Sequence, residues 1–243
     1  MTQPSPPFDA ESFFSAELAQ KYDEAIRLSC PAYDALHGMI PPLLRGLPAD
    51  AAFLSAGAGT GAEIITLGRR YPGWRFVGVD VSADMLQTCR RRIAEAGIGN
   101  AVDLHHGTVE QYRAPARFDA ASSVFIVNYI KGHEQKLAYL RSIAASLKPG
   151  GAFVLADLYG DRASPDFVRL MHAWTMMYVS KGVRGENLAD LVGRIFNHIA
   201  FVPEDEVLQL LREAGFVDTV RFFQAFLYGA WVATRGQAPI TSI

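Results

Sequence analysis

The chain has 243 residues, half of them hydrophobic, and a formal net charge of −2. That suits one domain with a full core, and the charge gives no electrostatic case for nucleic acid or an anionic membrane surface as partner. Cys30 and Cys89 lack CxxC spacing and a His partner pattern, which argues for a reducing compartment and against a zinc site, and no metal is expected; no apolar run reaches the roughly 20 residues that span a bilayer.

Met1 to Pro7 is polar and Pro-rich. It lacks the basic and apolar regions of a signal peptide and reads as a disordered tail, so a cytoplasmic protein is expected. Phe8 to Arg45 reads as helix in two or three pieces, with Phe13, Phe14, Leu18 and Tyr22 at helical spacing. Pro31 and Pro41-Pro42 punctuate it. Lying ahead of the first strand, this segment (8–46) is a candidate cap over a ligand site.

From Pro48 onward strands and helices alternate. Strands are expected near 51–55, 75–80 and 101–105, with helices over 61–71 and 82–96. Ser82 is a good N-cap and Gly97 a plausible C-cap. Phe118 to Val127 reads as a fourth strand, Glu134 to Leu147 as an amphipathic helix, Lys148 to Gly151 as a turn, and Ala152 to Leu158 as a fifth strand. This alternation predicts a parallel sheet with helices on both faces. Residues 161–202 break the pattern and read as an inserted helical lid, with a loop at 180–186 and a helix over 188–199. Its Met and aromatic residues are, for the most part, better read as ordinary core. Pro203 to Ala214 returns to helix, closed by Gly215. Val217 to Ala225 and Tyr228 to Thr234 are β-like and joined so tightly that they must be antiparallel.

Leu54 to Gly61 reads LSAGAGTG, between a strand and a helix. Glycines allow a tight turn and let a ligand lie against the backbone. Asp80 ends the second strand about 20 residues after Gly59, where a carboxylate can accept hydrogen bonds from both ribose hydroxyls. Turn and acid together predict a site for a nucleoside-containing cofactor; the alternative is a structural turn and a solvated acid.

These residues resemble the class I S-adenosylmethionine-dependent methyltransferases over about Phe8 to Arg235. The likeness rests on GAGTG, Gly78-Val79-Asp80 with Ser82 and Met85, Leu147-Lys148-Pro149-Gly150-Gly151, Ala214-Gly215-Phe216 and the closing hairpin. It implies one domain with a Rossmann-like seven-stranded, mostly parallel sheet and an antiparallel C-terminal strand, carrying the cap, a cofactor core (47–160), the lid and a final helix and hairpin (203–235). It implies S-adenosylmethionine as cofactor and a small-molecule acceptor, with a homodimer among the assemblies left open. On the family pattern Gly57, Ala58, Gly59 and Gly61 pass the methionine part and ribose. Asp80 takes the ribose hydroxyls, Val81 and Met85 border the adenine, and Thr108 and Val109 read its edge. Phe125 to Tyr129 would face the donor methyl. Ser55 and Thr108 stand where the family commonly has acids, though Glu110 is nearby.

Within the family, Ser29-Cys30-Pro31-Ala32-Tyr33 and the segment from Phe223 to Ala233 look like the carboxy-S-adenosylmethionine synthase branch. That branch implies a cofactor contact at Tyr33 and pairing of Arg194 with an added carboxylate. It also has an Asn where Phe125 stands. Plain methyl transfer is favoured. It needs an in-line nucleophile and excluded water, with a base where the acceptor must lose a proton. His106, His133, His172 and His198 are candidate bases, the last two by their place in the lid; Tyr129, with Tyr22 and Tyr33, is better placed to orient. Arg194 is either an anion-binding residue or an exposed helical arginine. An NAD-dependent dehydrogenase is the rival enzyme reading, since Gly57, Gly59, Ala62 and Asp80 satisfy its fingerprint, but no Tyr-x-x-x-Lys pair or second domain accompanies it. A cofactor-binding protein without catalysis is the remaining alternative.

Overall fold

A computed structural model describes residues 13–237. The expected tail, Met1 to Pro7, and the start of the expected cap, from Phe8 to Ser12, lie outside the described residues. Two cap helices, α1 (Ala16–Ser29) and α2 (Tyr33–Leu43), precede the sheet. Then come β1 (Ala52–Ala56), α3 (Ala62–Arg70), β2 (Arg75–Asp80), α4 (Ala83–Ala96), β3 (Val102–His106) and β4 (Phe118–Val124). A short 3-10 turn, Val127–Tyr129, leads to α5 (His133–Ser146) and β5 (Leu147–Leu158). The lid helices are α6 (Pro165–Ser180) and α7 (Glu186–His198), and α8 (Glu204–Glu213), β6 (Phe216–Ala225) and β7 (Tyr228–Arg235) close the chain.

The seven strands lie in the order β3-β2-β1-β4-β5-β7-β6. β1 pairs in parallel with β2 and β4, and β5 with β4, whereas β7 runs antiparallel to both β5 and β6. The expected mostly parallel sheet with an antiparallel final strand is present. The order reverses between β1 and β4, so the crevice at their C-terminal ends is the topological switch point where open α/β sheets take ligands.

Packing follows from the apolar stripes. Leu137, Leu140 and Ile143 of α5 and Leu210 and Leu211 of α8 cover one face. Ile64, Leu67, Leu86 and Cys89 of α3 and α4 cover the other, with Ile40 of α2. A third cluster joins cap, lid and hairpin through Leu36, Phe167, Trp174, Tyr178 and Tyr228. Most lid aromatics are therefore core, as their spacing among apolar residues leads one to expect. Cys30 and Cys89 are free and buried. Burial pushes their thiols up to about 11 and about 12, so both stay protonated and unreactive.

Three local expectations are corrected. Pro41 and Pro42 do not break the cap helix but sit in the last turn of α2. A proline late in a helix costs one backbone bond, and Leu44 N–H still reaches the carbonyl of Pro41. The fourth strand stops at Val124 rather than Val127, because Phe125 takes a left-handed φ of 59°. The fifth strand begins at Leu147, not Ala152: Leu147 pairs with Phe118, and the expected turn is absorbed as an irregularity in the β4–β5 ladder.

Candidate functional site

A cavity of about 540 Å³ opens at the switch point, within the range of small-molecule sites. Its floor is the glycine turn. Gly57 and Ala58 N–H groups donate to the carbonyl of Val79, which binds the turn to the end of β2. Gly57 has φ 78°, and a Cβ there would strike Ile126. Gly59 has φ 49°, yet a Cβ on it would meet no protein atom. The space over Gly59 belongs to the cavity, which is what a ligand lying on the turn requires.

Asp80 is 8 % exposed at the tip of β2. Its Oδ2 accepts the Gly59 N–H at 2.8 Å and its Oδ1 the Ser82 N–H at 2.9 Å. A carboxylate offers roughly four lone-pair positions, so acceptor capacity remains for the two hydroxyls of a ribose. Burial raises the Asp80 pKa, opposed by the two backbone N–H groups. Ser82 caps α4 by accepting from Met85 N–H, and its hydroxyl donates to the carbonyl of Phe14. That fixes two walls at once: Met85 on the core side and Phe14 on the cap side.

Val81, Met85, Thr108 and Val109 line the cavity, with Glu110 beside them. Thr108 and Gln111 cap each other: Thr108 N–H donates to Gln111 Oε1, and Gln111 N–H to Thr108 Oγ1. The far end is aromatic and aliphatic, built from Phe14, Tyr22, Phe125, Ile126, Tyr129 and Ile130. Phe125 stands at the boundary, its ring 5.1 Å from that of Tyr228 and 6.3 Å from that of Tyr33.

The sequence-derived residues thus separate. Gly57, Gly59, Asp80, Val81, Met85, Thr108, Val109, Phe125 and Tyr129 converge on one cavity. Ala58 and Gly61 hold the turn from behind; a Cβ on Gly61 would meet Cys89. Tyr33 lies off the cavity wall, its ring 4.3 Å from His37. His106 bonds the carbonyl of Val81, and His133 pairs with Glu206 and Glu213. His172 and Arg194 are exposed on the lid helices, and His198 packs its ring against Phe13. Among the described residues that line the cavity there is no histidine.

Burial raises the phenol pKa of Tyr22 and Tyr139 and pushes that of Tyr129 up to about 12. Near neutral pH all three are therefore hydrogen-bond donors rather than bases. Sequence reasoning missed Tyr139 and Gln135, which reach the cavity from α5, and Ile130 and Lys131, which precede it. It also missed a buried network behind the wall. Lys136 donates to the carbonyls of Val127 and Ala200, and Asp157 accepts the Asn128 N–H.

Residues 53–151 match the model of the family described as "methyltransferase domain". The chain is 24 % identical over 233 residues to a carboxy-S-adenosyl-L-methionine synthase of Klebsiella pneumoniae, covering 91 % of this chain and 90 % of that protein. It is 22 % identical to the enzyme of the same name from Desulfotalea psychrophila, covering 95 % of each. Among solved structures it resembles a Haemonchus contortus phosphoethanolamine N-methyltransferase in complex with S-adenosylhomocysteine. The TM-score is 0.69 at 15 % identity, over 98 % of this chain and 63 % of the other. It also resembles human N-acetylserotonin methyltransferase in complex with S-adenosylmethionine, with TM-score 0.64 at 17 % identity, over 94 % of this chain and 60 % of the other. The chain thus spans somewhat less than two thirds of each of these two structures. Among the described residues no helix is long and apolar enough to cross a membrane, and no cluster of three or more His, Cys, Asp or Glu side chains is placed to hold a metal ion.

Proposed function

We propose that the chain is a class I S-adenosylmethionine-dependent methyltransferase that methylates a small-molecule acceptor, a reading supported by the methyltransferase-domain match and the fold it shares with methyltransferases. The observation that carries this reading is the continuity of the cavity: the Asp80–Gly59 cradle opens directly into an apolar chamber. S-adenosylmethionine supplies a methyl group already activated by its positive sulfur. Asp80 and the turn over Gly59 would hold the nucleoside, with Val81 and Met85 against the adenine and Thr108 and Glu110 at its edge. Phe125, Ile126, Tyr129 and Tyr22 would exclude water around the methyl group and align the acceptor.

The chamber also bears on the acceptor class. Its phenols stay protonated and it presents no histidine among the described residues. An acceptor with a free lone pair suits it better than one needing an enzymic base. The carboxy-S-adenosylmethionine relatives, matched over nine tenths of the chain, support a second reading, in which the chain makes or uses the carboxylated cofactor. Two features favour methyl transfer: Arg194 is exposed away from the cavity, and Phe125 occupies the wall of the chamber.

Mass spectrometry of the nucleoside that copurifies with the protein tests the choice. S-adenosylmethionine or its demethylated product is expected, followed by turnover on neutral amines. A species heavier by one carbon dioxide would overturn the methyl-transfer reading.

A further inference from the structure

Arg92 lies on α4, outside the cavity, and Asp23 lies on the cap helix α1. Arg92 Nη1 is 3.0 Å from Asp23 Oδ1 and 2.8 Å from Oδ2. The same nitrogen donates to Thr60 twice, to its carbonyl at 2.9 Å and its Oγ1 at 2.7 Å. Thr60 Oγ1 in turn donates to Asp23 Oδ1 at 3.1 Å. The three groups close a triangle between cap, glycine turn and α4. Thr60 is buried inside the turn, and the Asp23 and Arg92 side chains are only 20 % and 23 % exposed.

The neighbour of Asp23 is Tyr22, which lines the cavity together with Asp80 and Gly59. The C-terminal end of α1 is tied down, with Ser29 Oγ against Tyr228 Oη and Trp174 Nε1–H donating to the Ser29 carbonyl, but among the described residues its N-terminal half, the part beside the glycine turn, buries only Ala19 fully. An element with so few buried apolar contacts opens at low cost, unless a specific bond closes it. A further tether of this region is Ser82, whose hydroxyl donates to the carbonyl of Phe14 on the cavity wall.

We propose that Asp23 and Arg92 are positioning residues for the cofactor site: through Thr60 and Tyr22 they latch α1 over the glycine turn and so set how long the cofactor stays bound. The inference rests on the cofactor reading of the cavity. The two charges touch no cofactor themselves. They fix the wall that does, and they join that wall to the backbone turn on which the cofactor lies. The pair is partly sheltered, so its worth exceeds that of an open surface pair, but salt can still reach it.

Dissociation of S-adenosylhomocysteine from the full chain, followed by stopped-flow fluorescence, tests the latch. Asp23→Asn and Arg92→Met are expected to raise the dissociation rate about tenfold, with Arg92→Lys raising it less than threefold because the charge is kept. Arg91→Met, which removes an exposed pair with Glu95 on the same helix, should leave the rate unchanged. Raising salt should speed dissociation from the wild type and leave Arg92→Met nearly flat, a response that a purely structural role would not produce. Wild-type protein that fails to bind S-adenosylhomocysteine at all would sink the cofactor reading. Normal binding with dissociation rates within twofold across folded Asp23→Asn and Arg92→Met would overturn the latch alone.

Discussion

Lys136→Met is the most demanding test of how the acceptor side is held. Lys136 is 1 % exposed, and its Nζ reaches the Val127 carbonyl at 2.6 Å and the Ala200 carbonyl at 3.3 Å. One carbonyl opens the 3-10 turn that carries Tyr129; the other ends the lid. Asp157, 1 % exposed, accepts the Asn128 N–H of the same turn at 2.9 Å. Burial pushes the Asp157 carboxyl up to about 7, with Lys136 pulling it down; burial likewise lowers the Lys136 pKa. Methionine fills much of the lysine volume but donates nothing. Leaving the Val127 carbonyl without its charged donor costs about 1–3 kcal/mol, and the Asp157 charge without its cation would add a further penalty, up to the roughly 3–5 kcal/mol of a broken buried pair. Asp157 can escape that second term by taking a proton, so the loss depends on pH. A raised carboxyl pKa contributes stability that is fully present below the unfolded value near 4 and lost as pH rises through about 7. Without Lys136 the folded value climbs further. We therefore expect Lys136→Met to cost about 2 kcal/mol at pH 5.5 and about 4 kcal/mol at pH 8.5, or roughly 4–8 °C and 8–16 °C in Tm. Circular-dichroism melts at the two pH values measure this directly. Adding Asp157→Asn to Lys136→Met should flatten the difference. Equal losses at both pH values would show that the Asp157 charge is not coupled to Lys136, and the reasoning would fail.

Other substitutions separate the parts of the site. Asp80→Ala should weaken S-adenosylmethionine binding by about 1–3 kcal/mol, the range for hydrogen bonds to a charged group; unchanged affinity by titration calorimetry would remove Asp80 from the site. Gly59→Ala adds a Cβ that meets no protein atom, so the fold should lose only the roughly 1–2 kcal/mol of a left-handed alanine while cofactor affinity falls at least tenfold. Normal binding by that variant would mean the cofactor does not cross Gly59. Arg194→Ala should leave S-adenosylmethionine affinity within twofold, since the side chain is exposed on α7; a wild-type preference for the carboxylated cofactor that this variant abolishes would move the activity to the synthase reading.

Much of the fold was legible because the signals were local and mutually supporting. The glycine turn, the Ser82 cap and the acid that ends β2 each sit where the chain reverses, and the short Phe226-Leu227 connection leaves only an antiparallel partner for β7. Boundaries failed where tertiary pairing overrode local chemistry: β5 runs through Lys148 to Gly151 because Leu147 still finds Phe118. The site was half legible. Most of the motif-borne cofactor residues reach one cavity, while the histidines, chosen for their chemistry and two of them for their place in the lid, face solvent, acids, backbone or an aromatic ring. One missed signal was present in the sequence. Lys136 stands four and seven residues before Leu140 and Ile143, on the apolar stripe of α5, and Asp157 interrupts the apolar run of β5. Charges in such positions are almost never left unpaired, so each should have been read as implying the other.

The same rule bears on what the chamber accepts. A carboxylate carried on the transferred carbon would bring a negative charge among Phe125, Ile126 and Tyr129, where burial already holds the Tyr129 phenol neutral. A charge moved there needs a cation and hydrogen bonds to offset desolvation. Among the described lining residues the cation is Lys131, and it is exposed at the cavity rim. Arg194 would serve only if α7 turned its outer face inward, against a helix whose other side packs Leu188, Leu191 and Ile195 on the lid core. A plain methyl donor brings its sulfonium but no carboxylate, so it asks for no cation there. The apolar wall that would make a carboxylated donor costly is the one that would exclude water from a methyl donor, which supports the proposed methyl transfer.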